Sequence, residues 1–144
     1  MEYSPLLAPI VALVAWTLVM LVWMAVSRGA AAKKAGIDLA GSRGGRGQDL
    51  DGVVAPHAQW PAHNYNHLME QPTIFYAIVL ALTLMDMDVP INVWLAWGYV
   101  GLRIVHSIVQ ATVNIVKIRF PLFALSTLCL VGLTVHAAAR LLHG

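Results

Sequence analysis

Leu6 to Val26 is an unbroken run of 21 residues without a formal charge. As a helix it is about 31 Å long, which matches the roughly 30 Å of bilayer hydrocarbon. Three further apolar stretches follow, and together they predict four spanning helices over about 5–27, 64–85, 90–116 and 121–142. The first is apolar on all sides, carries Trp16 and Trp23, and holds Pro9 in its opening turns, so it reads as a packing element. The connection over 28–61 begins Arg-Gly-Ala-Ala-Ala-Lys-Lys-Ala, which extends the first helix into water, and then turns glycine-rich from Gly41 to Gly47. That glycine density forbids a stable helix. The expected architecture is one all-α integral membrane domain over 1–144, a four-helix bundle.

Polar positions interrupt the apolar pattern with helical spacing. On the third span Arg103, His106, Gln110, Asn114 and Lys117 are separated by 3, 4, 4 and 3 residues, which confines them to an arc of about 80°. On the second span His63, Asn66, Glu70, Thr73 and Ala77 share one face in the same way. Pro72 is expected to kink that helix and release the carbonyl of Leu68. A hairpin turning near Asp88 then brings Glu70 level with His106 and Asn66 level with Gln110, with Arg103 about one turn deeper. One reading of these stripes is interhelical glue. A charge near mid-membrane costs about 3 kcal/mol, however, and usually faces a polar cavity or a ligand.

Composition agrees with the pattern. The 144 residues are 59% hydrophobic and 11% charged, with a mean hydropathy of +0.71, too apolar for a soluble domain of this size. Charge placement sets the expected orientation. Arg28, Lys33, Lys34, Arg43 and Arg46 lie in one connection and Lys117 and Arg119 in another, whereas the turn Asp86-Met87-Asp88 has no basic residue. By the positive-inside rule the basic connections are cytoplasmic and both termini lie on the outer side, where Trp94 and Trp97 sit in the interfacial belt. The segment before Leu6 carries Glu2 and no basic residue, so no cleavable secretory signal is expected.

Several chemistries are disfavoured. The Gly41–Gly47 stretch lacks the Gly-Lys-Ser/Thr ending of a phosphate-binding loop and reads as a flexible basic linker at the headgroups. His57, His63 and His67 have spacings of 6 and 4 across a predicted loop, so no metal site is expected. His136 and the lone Cys129 read as packing residues. Ser107 points about 100° away from the stripe, against a serine–histidine hydrolase. No helix-turn-helix, zinc-ligand or RNP-type pattern exists, so membrane lipid rather than nucleic acid is the expected polyanionic partner.

The run Glu70-Gln71-Pro72-Thr73-Ile74-Phe75-Tyr76, preceded by Asn66 and followed by a helix with Arg103 and the end Lys117-Ile118-Arg119-Phe120-Pro121, resembles the MAPEG superfamily, the membrane-associated proteins of eicosanoid and glutathione metabolism. The likeness covers nearly the whole chain and is that of a bacterial-type member, which implies the bacterial inner membrane. It also implies a homotrimer of four-helix subunits with a glutathione site between neighbours, open to the cytoplasmic side. Aligned from Glu70, the family's Asn falls on His67 and its Arg on His63, and its helix-three tyrosines meet Ile108 and Thr112.

The resemblance implies a glutathione-dependent transferase or peroxidase acting on small lipophilic substrates. Glu70 would bind the glutathione ammonium, His63, Asn66 and His67 its other polar groups, and Lys117 or Arg119 a carboxylate or the thiolate. Arg103, His106, Gln110 and Asn114 would form the deeper part of the site. The alternative is a noncatalytic membrane scaffold, lipid-binding protein or accessory subunit that keeps the fold. Proton or ion movement is disfavoured because the stripe has no matching set on the outer side.

Overall fold

A computed structural model of the chain describes residues 3–143. Every long element among them is an α-helix: α1 (Leu7–Lys34), α2 (Pro56–Leu68), α3 (Gln71–Leu84), α4 (Pro90–Thr112) and α5 (Val116–His143). Three stretches are long and apolar enough to cross a membrane, namely Leu7–Lys34, Pro56–Leu84 taken as one rod, and Val116–His143. The expected third span, α4, has the length of a crossing helix but carries the polar stripe, which lowers its apolarity.

Proline and left-handed residues set the helix limits. Pro56, Pro72 and Pro90 each lie in the first two positions of a helix, where a missing N–H costs nothing. Gly36, Asp86 and Asn114 have φ of 73°, 53° and 52°, and each closes a helix by turning the chain out of it. Two expectations change as a result. Pro72 does not kink a continuous second span; the helix stops at Met69–Glu70 and restarts at Gln71, with Glu70 at ψ −98°. The third span ends at Thr112, so Lys117 and Arg119 belong to the first turns of α5 and Pro121 lies inside that helix.

The principal pairings are α4 along α5 and α1 along α2. Leu13, Met20, Phe75, Val79, Tyr99, Leu130 and Leu133 meet in the buried core, and the Phe75 and Tyr99 rings stack at 4.2 Å. Apolar side chains such as Val11, Leu18, Val22, Leu128 and Val135 point outward, as expected of faces that meet lipid.

Close packing of α4 on α5 needs a small residue at Gly132, where a Cβ would stand 3.1 Å from Leu95 Cδ1. Gly132→Leu is therefore expected to lower stability by about 1–3 kcal/mol through overpacking. Gly101→Ala, where nothing lies within 4 Å, should leave it nearly unchanged. Thermal unfolding followed by tryptophan fluorescence in detergent separates the two, and equal midpoints would contradict this packing.

The connection after α1 is more ordered than a free linker. A 3-10 turn at Gly47–Leu50 buries Leu50, and Gln59 on α2 ties it down. The Gln59 amide accepts from Arg28 Nε at 3.1 Å and donates to Gly47 O at 3.0 Å and to Asp51 Oδ1 at 2.8 Å. Asp51 also faces His63 Nε2 at 3.5 Å.

Candidate functional site

Arg103 is the centre of the polar interior. It is 1% exposed, and among the described residues no carboxylate lies within ion-pair distance of it. Neutral groups hold it instead. Nε donates to Tyr99 Oη at 3.2 Å, Nη2 donates to Gln71 Oε1, and Nη1 faces His67 Nε2 at 3.4 Å. The guanidinium carbon lies 5.0 Å from the Phe123 ring centroid and 5.3 Å from that of Tyr99, so two aromatic faces add cation–π attraction. Gln71 also accepts from Tyr99 Oη at 3.3 Å and donates to Thr127 Oγ1 at 3.0 Å. Residues from α2, α3, α4 and α5 are thus joined around one buried cation.

His67 links that cation to the exterior. Its Nδ1 lies 3.1 Å from Glu70 Oε2, so Nδ1 carries the proton and Nε2 is left to accept from Arg103. Glu70 itself has a side chain 70% exposed and does not reach Arg103, because His67 stands between them. The expected register of Glu70 with His106 is thus replaced. His67 is the residue beside His106, with ring centroids 5.1 Å apart, and Asn64 donates to Ser107.

The predicted face survives the break at Met69–Glu70, and the difference lies in which way it points. The face bearing His63, Asn66, Glu70 and Thr73 is exposed, and the opposite face, with Asn64, Leu68, Pro72 and Phe75, is buried. In a chain that crosses a membrane, this leaves a polar strip on the outside of the subunit.

Beside the strip lies a cleft of about 230 Å³ lined by His67, His106, Val116, Arg119, Phe120 and Phe123. Its polar lining consists of two imidazoles and a guanidinium, with no acidic side chain. Arg119 bonds the Asn114 side chain through Nη1, while its Nε is buried without a hydrogen-bond partner. A guanidinium lining an acid-free cleft suits an anionic oxygen or sulfur. The donor set therefore fits a thiolate or carboxylate.

Arg103, His106, His67 and Arg119 are brought together at this cleft or directly behind it. Gln110 is buried one turn further along α4, with Oε1 lacking a partner among the described residues. Asn114 has left the stripe for the α4–α5 turn, where it holds Arg119. Lys117 is exposed on the first turn of α5, and His63 and Asn66 lie on the exposed strip. Ser107 is buried and accepts from Trp16 Nε1 at 2.9 Å, a packing role. His136 Nδ1 meets Asn92 Oδ1 at 2.6 Å, which ties α5 to α4. No group of three or more His, Cys, Asp or Glu suited to a metal ion occurs among the described residues.

Sequence reasoning missed Tyr99, Gln71, Phe123 and Thr127. Tyr99 stands four residues before Arg103 and continues the same stripe, so it was available as a phenol. Gln71 lay inside the quoted motif but carried no charge to draw notice.

Comparison with curated proteins and with solved structures finds no significant match. A broken polar helix, a buried arginine and an acid-free cleft in an apolar helical chain accompany a family-level match: the model of the MAPEG family aligns with residues 6–139, nearly the whole chain, and the protein belongs to the MAPEG family.

Proposed function

We propose that the protein is a membrane-embedded glutathione-dependent enzyme, a transferase or peroxidase for lipophilic substrates dissolved in the bilayer. The observation that carries this reading is the cleft of His67, His106 and Arg119, which is lined by basic groups and no acidic one. Glutathione, when bound, supplies the nucleophilic thiol. Arg119 lowers the free energy of the thiolate through its positive charge. Glu70, exposed beside the cleft, takes the ammonium, and Lys117 on the neighbouring turn of α5 takes a carboxylate. Arg103 does not touch the ligand in this arrangement; it fixes His67 in the tautomer that leaves Nδ1–H on Glu70.

The same reading makes the working unit a homotrimer in which a neighbouring copy covers the strip His63, Asn66, Glu70 and Thr73. Polar groups at this position on a lipid-facing surface are costly until another protein surface meets them. It also takes the bundle as four-spanning, with α4 as the crossing helix of lowest apolarity and both termini on the outer side. The concentration of Arg28, Lys33, Lys34, Arg43 and Arg46 at one end and of Asp86 and Asp88 at the other supports that orientation, and the assignment to a bacterial inner membrane follows from the family resemblance alone.

Calorimetry of the detergent-purified protein with glutathione, followed by turnover with a chlorodinitrobenzene and with a lipid hydroperoxide, tests the reading. Saturable heat and turnover of either substrate are expected. A folded protein that gives no heat at millimolar glutathione overturns it. One observation favours a noncatalytic scaffold instead: each nitrogen of Arg103 already faces an internal acceptor, so that network needs no ligand. The scaffold reading predicts the blank calorimetry.

A further inference from the structure

A second cavity, about 590 Å³, lies between α1 and α2 at the basic end of the bundle, apart from the cleft of His67 and Arg119. Its floor and walls are apolar, with Trp23, Ala31, Val54 and Pro61 among them, and its polar rim carries Lys34 and His57. None of its lining residues is acidic. Small side chains open it: Ala30 and Ala31 on α1 face Ala55 and Ala58 at the start of α2. The 3-10 turn and the Arg28–Gln59–Asp51 bonds hold the connection in place, so the groove is a fixed part of the fold.

The groove also has a defined depth. Lys34 is the last residue of α1, whereas Trp23 lies eleven positions earlier, about 16 Å deeper along the helix. The cavity therefore runs from the headgroup side at Lys34, beyond the apolar run that ends at Val26, down to the edge of the hydrocarbon at Trp23.

We propose that this groove holds one anionic glycerophospholipid from the leaflet on the basic side, with the phosphate on Lys34 and His57 and an acyl chain along Trp23, Ala31 and Pro61. Charge complementarity selects the headgroup, since a basic pocket between helices at the membrane surface attracts anionic lipid and has nothing to offer a zwitterionic ammonium. The apolar floor selects a lipid over a free anion, which leaves that area uncovered. The site is independent of the glutathione reading, because it shares no lining residue with the other cleft.

Native mass spectrometry of the delipidated full-length protein, titrated with dioleoyl phosphatidylglycerol or dioleoyl phosphatidylcholine, reads the occupancy directly. One phosphatidylglycerol per chain is expected to persist at a concentration at least tenfold below that needed for phosphatidylcholine. Lys34→Glu should remove this preference, and Ala58→Trp should block binding of both lipids by filling the groove. Arg43→Glu, a basic residue outside the groove, should leave the preference intact, and unchanged thermal midpoints show that the variants are folded. Equal binding of the two lipids, or retention unchanged in both Lys34→Glu and Ala58→Trp, would overturn the proposal. Complete displacement by millimolar inorganic phosphate would also overturn it, by assigning the site to a free anion.

Discussion

Gln71→Leu is expected to destabilise the protein by about 3–5 kcal/mol, the usual consequence of leaving a buried charge without its acceptor. Gln71 Oε1 accepts from both Arg103 and Tyr99, and its amide donates to Thr127, so one substitution opens three bonds. For a chain of this length the thermal midpoint should fall by roughly 10 °C. The decisive comparison is the double variant Gln71→Leu with Arg103→Leu. Removing the cation as well removes the desolvation cost, so the double variant should unfold at a higher temperature than Gln71→Leu alone. If it is less stable than the single variant, Arg103 contributes through packing and not as a charge that Gln71 compensates.

Arg119→Leu carries the second large effect, this time on chemistry. If Arg119 stabilises the thiolate, its loss should reduce the conjugation rate by about 10²–10³-fold, the scale seen when a single electrostatic donor is removed from a reacting anion. Stability should fall by only about 1 kcal/mol, since the one bond lost is to the Asn114 side chain. Arg119→Lys keeps the charge but not the fork geometry, so it should recover part of the rate. The short-wavelength ultraviolet absorbance of the thiolate, followed as glutathione is added, should disappear in Arg119→Leu and return in part in Arg119→Lys. A rate unchanged in Arg119→Leu would move the thiolate site away from this cleft.

Much of the fold was written in the pattern of apolar runs, and the limits of that legibility are local. The stripe through Arg103, His106 and Gln110 is buried as its phase requires, because α4 is continuous over those residues. The same arithmetic fails at Asn114 and Lys117, because a left-handed residue ends the helix about one and a half turns before the stripe does. It fails again at Glu70. Periodicity identifies which residues share a face but does not say which face is inward, and the face of His63, Asn66, Glu70 and Thr73 points outward on both sides of the break before Gln71. The result is that His67, not Glu70, meets Arg103. Uncharged hubs such as Gln71 and Tyr99 give no hydropathy signal and come to notice only once a buried charge needs acceptors.

The guanidinium in α4 also constrains how the protein is made. α4 is the helix of crossing length that falls short of its neighbours in apolarity. A lone helix carrying Arg103 at mid-depth meets a cost of about 3 kcal/mol on leaving the translocon. Chains emerge from the ribosome N-terminus first, so His67 and Gln71 reach the membrane ahead of Arg103, and Phe123 and Thr127 after it. On the four-spanning topology proposed above, the charge sets an order of assembly: α4 partitions into lipid against the already inserted α2 and α3, and α5 closes over the guanidinium afterwards.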